Sequence, residues 1–239
     1  MTEFQEDAGE LRIAIDGPAG SGKSTLAREL ARALGYLYVD TGAMYRAVAY
    51  KALQAGLDPA REDDHAAIIE IARQAEFHFQ WEDDTLKLFI DGEDVTDAIR
   101  TPAVEKLSSP VSALPSVREE LVAAQKTLAQ ARGIVMEGRD IGTVVMPDAD
   151  AKIFLTANPD ERARRRWRQQ RERGTSRPLQ TVQRETMERD RRDSSRAVSP
   201  LKPADDAVPL DCTDLNRAEV LEEALRIVEE ARARRDGRL

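Results

Sequence analysis

Gly17-Pro18-Ala19-Gly20-Ser21-Gly22-Lys23-Ser24 decides the fold of this chain, because it fills every fixed position of the pattern G-x-x-x-x-G-K-[ST]. The flanks agree with it. Leu11-Arg12-Ile13-Ala14-Ile15-Asp16 reads as a buried strand, and Thr25 to Leu34 reads as a helix ending at Gly35. Strand, glycine-rich turn and helix together aim several backbone N–H groups and a helix N-terminus at one spot, which suits a polyphosphate. The donor-nucleotide set is therefore Gly17, Pro18, Ala19, Gly20, Ser21, Gly22, Lys23, Ser24 and Thr25. Lys23 is expected to reach the β- and γ-phosphates, and the Ser24 hydroxyl to sit on Mg²⁺ brought with the nucleotide.

Outward from this loop, the chain reads as alternating strands and helices. Tyr36 to Asp40 is a short strand, and Thr41-Gly42 turns into a helix through Tyr50. An amphipathic helix follows from about Asp64 to Ala75. Glu76 to Trp81 and Leu86 to Gly92 alternate around a polar turn as a β-hairpin. Val104 to Arg132 is helical, broken near Pro110 and Pro115. Gly133 to Glu137 and Ala151 to Thr156 are strands. Asn158, Pro159 and Glu161 mark a helix start with a capping-box pattern. A second polar helix spans about 180–195, Ala207 to Asp211 is a last strand, and Ala218 to Arg234 a last helix.

The expected fold is therefore α/β, a three-layer core around a parallel sheet of about five strands. Two segments are inserted into it: an acceptor-binding lobe with a small β element, and an arginine-rich helical lid. In numbers, 1–10 is a flexible tail and 11–239 one domain, with core 11–40, 105–160 and 196–239, insert 41–104 and lid 161–195. Ligands of such sheets bind beyond the C-terminal strand ends, where Asp16, Asp40 and Glu137 to Asp140 fall.

Composition narrows the function. The net charge of −8 argues against general nucleic-acid binding, yet Glu161 to Arg196 holds thirteen arginines, no lysine and six acids. That local +7 leaves −15 for the remainder. Arginine is favoured where two-pronged contacts to phosphate or carboxylate are needed, although its interleaved acids also suit a solvated helix face. No apolar run is long enough to span a membrane, and the acidic start is not a signal peptide. The single cysteine, Cys212, suits a reducing cytoplasm and reads as a small buried side chain. With no coiled-coil seam, a monomer is the default expectation.

The loop together with Asp40-Thr41-Gly42-Ala43-Met44-Tyr45-Arg46 resembles the opening of bacterial-type cytidylate (CMP/dCMP) kinases. Gly92 to Thr96, Glu137-Gly138-Arg139-Asp140 through Val145, Arg189 to Arg196 and Pro200-Leu201 extend the resemblance over about 11–230. It implies transfer of a phosphate from ATP to CMP or dCMP, with Mg²⁺, in pyrimidine nucleotide metabolism. By position, Thr41, Arg46 and Arg139 would hold the acceptor phosphate, with Asp40 beside them in the substrate-binding set. Ser109, Arg118 and Asp140 would read the cytosine base, and Arg189, Asp193 and Arg196 would contact ribose and phosphates. Lys23, Arg139, Arg189 and Arg196 would stabilise the transferring charge, with lid arginines between Arg162 and Arg173 over the ATP phosphates. Thr41 stands where relatives often carry serine, and Glu137 where they often carry aspartate.

The chemistry agrees with this map. A phosphate acceptor is already anionic, so no strong general base is needed, and His65 and His78 in the insert are read as packing or surface residues. Asp40 and Glu137 are candidates for a water of the Mg²⁺ shell or for pairing with an arginine; Asp40 could also cap the next helix. Tyr45 and Trp167 could stack on bases or pack internally. Other readings are a kinase for another monophosphate such as UMP, and an RNA-binding phosphate-loop protein using the arginine segment. A GTP switch would need a guanine-reading Asn-Lys-x-Asp element, which the sequence lacks.

Overall fold

The structure is a computed structural model and describes residues 9–83, 85–172, 174, 177–196 and 198–238. Most of the expected tail, and Arg173, Thr175 and Ser176 near the expected lid tip, lie outside the described residues. The chain forms two compact units, one built from the chain up to Leu37 and from Ala131 onward, the other Tyr38–Gln130.

The strands of the main sheet are β1 (Arg12–Asp16), β2 (Leu37–Asp40), β6 (Ile134–Gly138), β7 (Ala151–Thr156) and β8 (Val208–Asp211), in the order β2-β6-β1-β7-β8. This matches the expected five-stranded α/β sheet. β1 pairs in parallel with β6 and β7, and β7 in parallel with β8. The apolar residues of β1 and β6 are buried on both faces, which is why these strands read as unbroken apolar runs instead of alternating ones. In the first unit α1 (Lys23–Leu34) packs on β6 and on α8 (Arg217–Arg235). Helix α8 opens with a complete capping box between Asn216 and Glu219. Two further helices, α6 (Pro159–Glu172) and α7 (Leu179–Ser195), pack against each other.

The register of β1 against β6 is what builds the site. Asp16 faces Gly138 across the ladder, so the loop after β1 and the Arg139-Asp140 turn after β6 leave the sheet together. That turn continues as a π-helical turn, Ile141–Val145.

In the second unit, α2 (Thr41–Gln54) packs on α3 (Glu62–Gln74), α4 (Pro102–Val111) and α5 (Pro115–Leu128). The hairpin is present as β3 (Phe77–Glu82) and β4 (Thr85–Ile90), extended by the short β5 (Glu93–Asp94) into a three-stranded antiparallel sheet. Helices α4 and α5, expected in the core, belong to this unit, because their apolar faces are buried against α2 and α3. The helix break falls after Val111, with Pro110 inside the last turn of α4.

Candidate active site

The expected site residues fall into two groups, one in each unit. The first is built on the loop between β1 and α1. Gly17 has φ +151°, and a Cβ there would stand 2.0 Å from the Leu155 carbonyl oxygen of β7. No side chain fits, so the loop lies directly on the strand. Helix α1 then begins at Lys23, leaving its first N–H groups to face a ligand. Buried Ser21 Oγ has no hydrogen-bond partner among the described residues, and such an atom can donate to a phosphate oxygen.

Lys23 is buried, and its ammonium donates to the Pro18 carbonyl at 2.8 Å. Burial lowers its pKa to about 7, the Arg139 and Arg189 charges push the same way, and the Glu137 and Asp16 carboxylates oppose them. An amine in that state gains its full charge when phosphates arrive. Asp16 accepts from the Ile141 N–H at 2.9 Å and the Gly142 N–H at 2.7 Å. Burial raises it to about 6 despite those donors, and the charge of buried Asp140 adds to the rise. Asp16 thereby ties the start of the loop to the turn that follows Arg139 and Asp140.

Four of the candidate residues form one cluster. Asp193 is 2% exposed and accepts from Arg139 Nε at 2.9 Å and from the Arg196 guanidinium, with Arg189 Nε 4.0 Å away. Burial would raise its pKa, but the three guanidinium groups hold it below the usual carboxylate range. Arg139, Arg189, Asp193 and Arg196 thus come together, close enough to Lys23 for two of them to act on it. Such a cluster can stabilise negative charge on a phosphate brought beside it.

Two of the lid arginines are bound by the protein's own backbone. Arg162 is buried and donates to the Ala157 and Ala19 carbonyls and to Asp190. Arg165 donates to the carbonyls of Ser21 and Cys212. Arg164, Arg165 and Arg168 all approach Glu161, which accepts from Arg165 instead of closing a capping box. Asn158 caps α6, its Oδ1 accepting from the Asp160 N–H. Trp167 donates to the Arg177 carbonyl and carries Arg171 over its ring, so it packs within the helical pair. Cys212, buried just after β8, donates to the Ser21 carbonyl as the small core side chain anticipated.

The second group lies in the other unit. Asp40 caps α2, accepting from the Ala43 N–H at 2.9 Å, and pairs with Arg46 at 2.7 Å. Burial works against its charge, yet the Arg46 guanidinium and the Ala43 amide hold its pKa below the usual range. Capping and arginine pairing, both left open by the sequence, are what Asp40 does here. Buried Thr41 is the first residue of the helix. Gly42 leaves room for the pair, since a Cβ would meet Asp40 Oδ1 at 3.1 Å and Arg46 at 3.3 Å. Arg118 is buried with its guanidinium carbon 5.4 Å from the Tyr45 ring centroid, so Tyr45 supports an arginine from inside the unit. Ser109 sits half-buried on α4.

No cluster of three or more His, Cys, Asp or Glu suited to a metal occurs among the described residues. Mg²⁺ commonly keeps waters and binds through nucleotide phosphates with one or two protein oxygens. The exposed Ser24 in the first turn of α1 fits that kind of donor set.

The sequence places Asp16 at a strand end beside the loop but does not show its hold on the Ile141 and Gly142 amides. Gly42, Tyr45 as the partner of Arg118, and the Arg162–Asp190 pair carry no sequence signal of their roles.

The family model for cytidylate kinase matches residues 13–230. A cytidylate kinase of Desulfitobacterium hafniense is 52% identical over 90% of this chain and 91% of its own. One of Pelotomaculum thermopropionicum is 52% identical over 85% and 89%. One of Ligilactobacillus salivarius is 47% identical over 92% and 97%. With the phosphate loop, the Arg139-Asp140 turn and the Asp193 cluster assembled as described, the chain belongs to the cytidylate kinase family.

Proposed function

We propose that this chain transfers the γ-phosphoryl group of ATP to the phosphate of CMP or dCMP, giving CDP or dCDP and ADP. The observation that carries this reading is the gathering of Arg139, Arg189 and Arg196 about Asp193, within electrostatic reach of Lys23. A nucleotide hydrolase needs to bind one polyphosphate, whereas a kinase must bring two anionic phosphates together and neutralise both.

The acceptor phosphate oxygen attacks the γ-phosphorus, the bond to the bridging oxygen breaks, and ADP leaves. No group need remove a proton, because the attacking oxygen is already anionic near neutral pH. Lys23 follows the donor phosphates, and the arginines stabilise the equatorial oxygens. Arg46 and Thr41 serve the acceptor phosphate, with Asp40 holding Arg46 in place. Asp140, Arg118 and Ser109 select the base: a carboxylate accepts from the exocyclic amine of cytosine, and an arginine donates to its carbonyl and N3. Mg²⁺, held by the phosphates and Ser24, would add charge neutralisation. A monomer in a reducing cytoplasm suits the buried free thiol of Cys212.

ADP release measured with ATP–Mg²⁺ and each of CMP, dCMP, UMP, AMP and GMP tests the proposal. Turnover of CMP and dCMP, lost in Asp140→Ala, is expected. Preference for UMP or AMP would overturn the acceptor assignment. Retention on RNA without turnover of any monophosphate would overturn the enzyme itself.

A further inference from the structure

We propose that Arg162 and Asp190 form a positioning pair for ATP, gripping both backbone polar groups of Ala19 and so fixing the shape of the phosphate-binding loop. The inference rests on the reading of that loop as the ATP site.

The geometry is specific to one residue. The Ala19 N–H donates to Asp190 Oδ1 at 3.1 Å, and the Ala19 carbonyl accepts from Arg162 at 3.1 Å. The two side chains are also ion-paired with each other, Arg162 from α6 and Asp190 from α7. Arg162 Nε is anchored on the Ala157 carbonyl at 2.9 Å, so the guanidinium cannot swing out to a ligand without giving up three partners. Beside it, a Cβ on Gly20 would stand 2.7 Å from the Arg162 carbonyl oxygen, so the loop rests on the backbone of α6.

The consequence lies in the peptide between Pro18 and Ala19. Its carbonyl is held by Lys23 and its N–H by Asp190. A turn of Lys23 toward the phosphates of ATP draws its ammonium away from Pro18 and weakens that hold. Asp190 and Arg162 then remain as the side-chain anchors of the peptides on either side of Ala19, just before the N–H groups of Gly20 to Lys23. The pair is neutral as a unit, so it holds the loop without setting an unbalanced carboxylate against the phosphates.

Electrostatics and positioning predict opposite signs for one variant, Asp190→Ala. Removing the carboxylate leaves the Arg162 charge unbalanced near the loop, which by charge alone would tighten ATP binding. Loss of the clamp would weaken it. The test compares wild type, Asp190→Ala, Arg162→Lys and, as a control, Glu185→Gln, which breaks the Arg177–Glu185 ion pair that makes no bond to the loop. KM for ATP and KM for CMP are measured separately by ADP release. The ATP-induced rise in melting temperature is measured without any acceptor.

The expected result is a rise in KM for ATP of about tenfold or more in Asp190→Ala and Arg162→Lys. KM for CMP should stay within about twofold, Glu185→Gln should behave as wild type, and the ATP-induced melting shift should shrink in parallel. An unchanged or lowered KM for ATP overturns the proposal, as does an equal rise for both nucleotides. If Asp190→Ala does not fold, Arg162→Lys, which keeps the charge but cannot serve three acceptors in one plane, carries the test alone. Wild type that lacks CMP-dependent ADP release would sink the acceptor assignment and leave the melting shift to judge the clamp.

Discussion

Asp16→Asn should gain stability relative to the wild type as pH rises from acid to neutral, although it removes a carboxylate that accepts two good hydrogen bonds. Asp16 is 4% exposed, and its pKa rises from an ordinary 3.8 to about 6 because burial outweighs the Ile141 and Gly142 amides. Asp140 pushes in the same direction and Lys23 opposes it. Between those two values the folded state keeps a proton that the unfolded chain has lost, so this group's contribution to stability falls as pH rises through the interval. The whole shift corresponds to about 3 kcal/mol, of which about 2 kcal/mol is lost between pH 4.5 and pH 7. Asparagine does not titrate, but its NH2 group cannot accept from the second of the two amides, which adds an offset that does not change with pH. Between pH 4.5 and pH 7 the melting gap should therefore move in the variant's favour by about 4–8 °C for a chain of this size. Thermal melts at the two pH values read the effect as a difference, which cancels every group shared by both proteins. A melting gap that does not change with pH would refute the burial argument. So would a variant that falls behind as pH rises. Persistence of a carboxylate that costs stability at neutral pH is consistent with its holding the Arg139-Asp140 turn for function.

The lowered pKa of Lys23 predicts that ATP binding depends on pH. Phosphates restore its charge, so affinity should be flat below about pH 7 and fall by up to about tenfold per pH unit above it, as binding then requires uptake of a proton. ATP titrations at pH 6.5 to 8.5 check this, and Lys23→Arg, permanently charged, should lose the slope. Gly17→Ala drives a methyl to within 2.0 Å of a backbone oxygen, so the loop must move. A shift of about 1 Å there should lower kcat/KM for ATP by about a hundredfold, and wild-type kinetics would show that the loop yields more easily than its packing suggests.

Local features were legible because they are written within a few residues. The phosphate loop, the cap and arginine partner of Asp40, the hairpin of the second unit and the final helix each follow from spacing alone. The capping-box reading of Glu161 fails for a tertiary reason: the Asn158 N–H that would close the box donates to Thr213 Oγ1 at 2.8 Å, and the Glu161 carboxylate accepts from Arg165. The arginine-rich segment announced positive charge but not its use. Arg162 and Arg165 look like their exposed neighbours in sequence, yet they are consumed by backbone carbonyls of the loop and of the segment after β8.

By itself, then, the sequence determined that a strand, a glycine-rich loop and a helix would cradle phosphate, that the sheet would be parallel, and which motifs mark the family. Tertiary structure alone decided that Asp16 holds the amides of Ile141 and Gly142, that Asp193 collects Arg139, and that Ala19 is gripped from α6 and α7. Hydrophobic periodicity and caps act between residues one or two turns apart. These pairings join positions far apart in the chain, and they arise only where parallel register and helix packing bring strand ends and helix faces to hydrogen-bond distance.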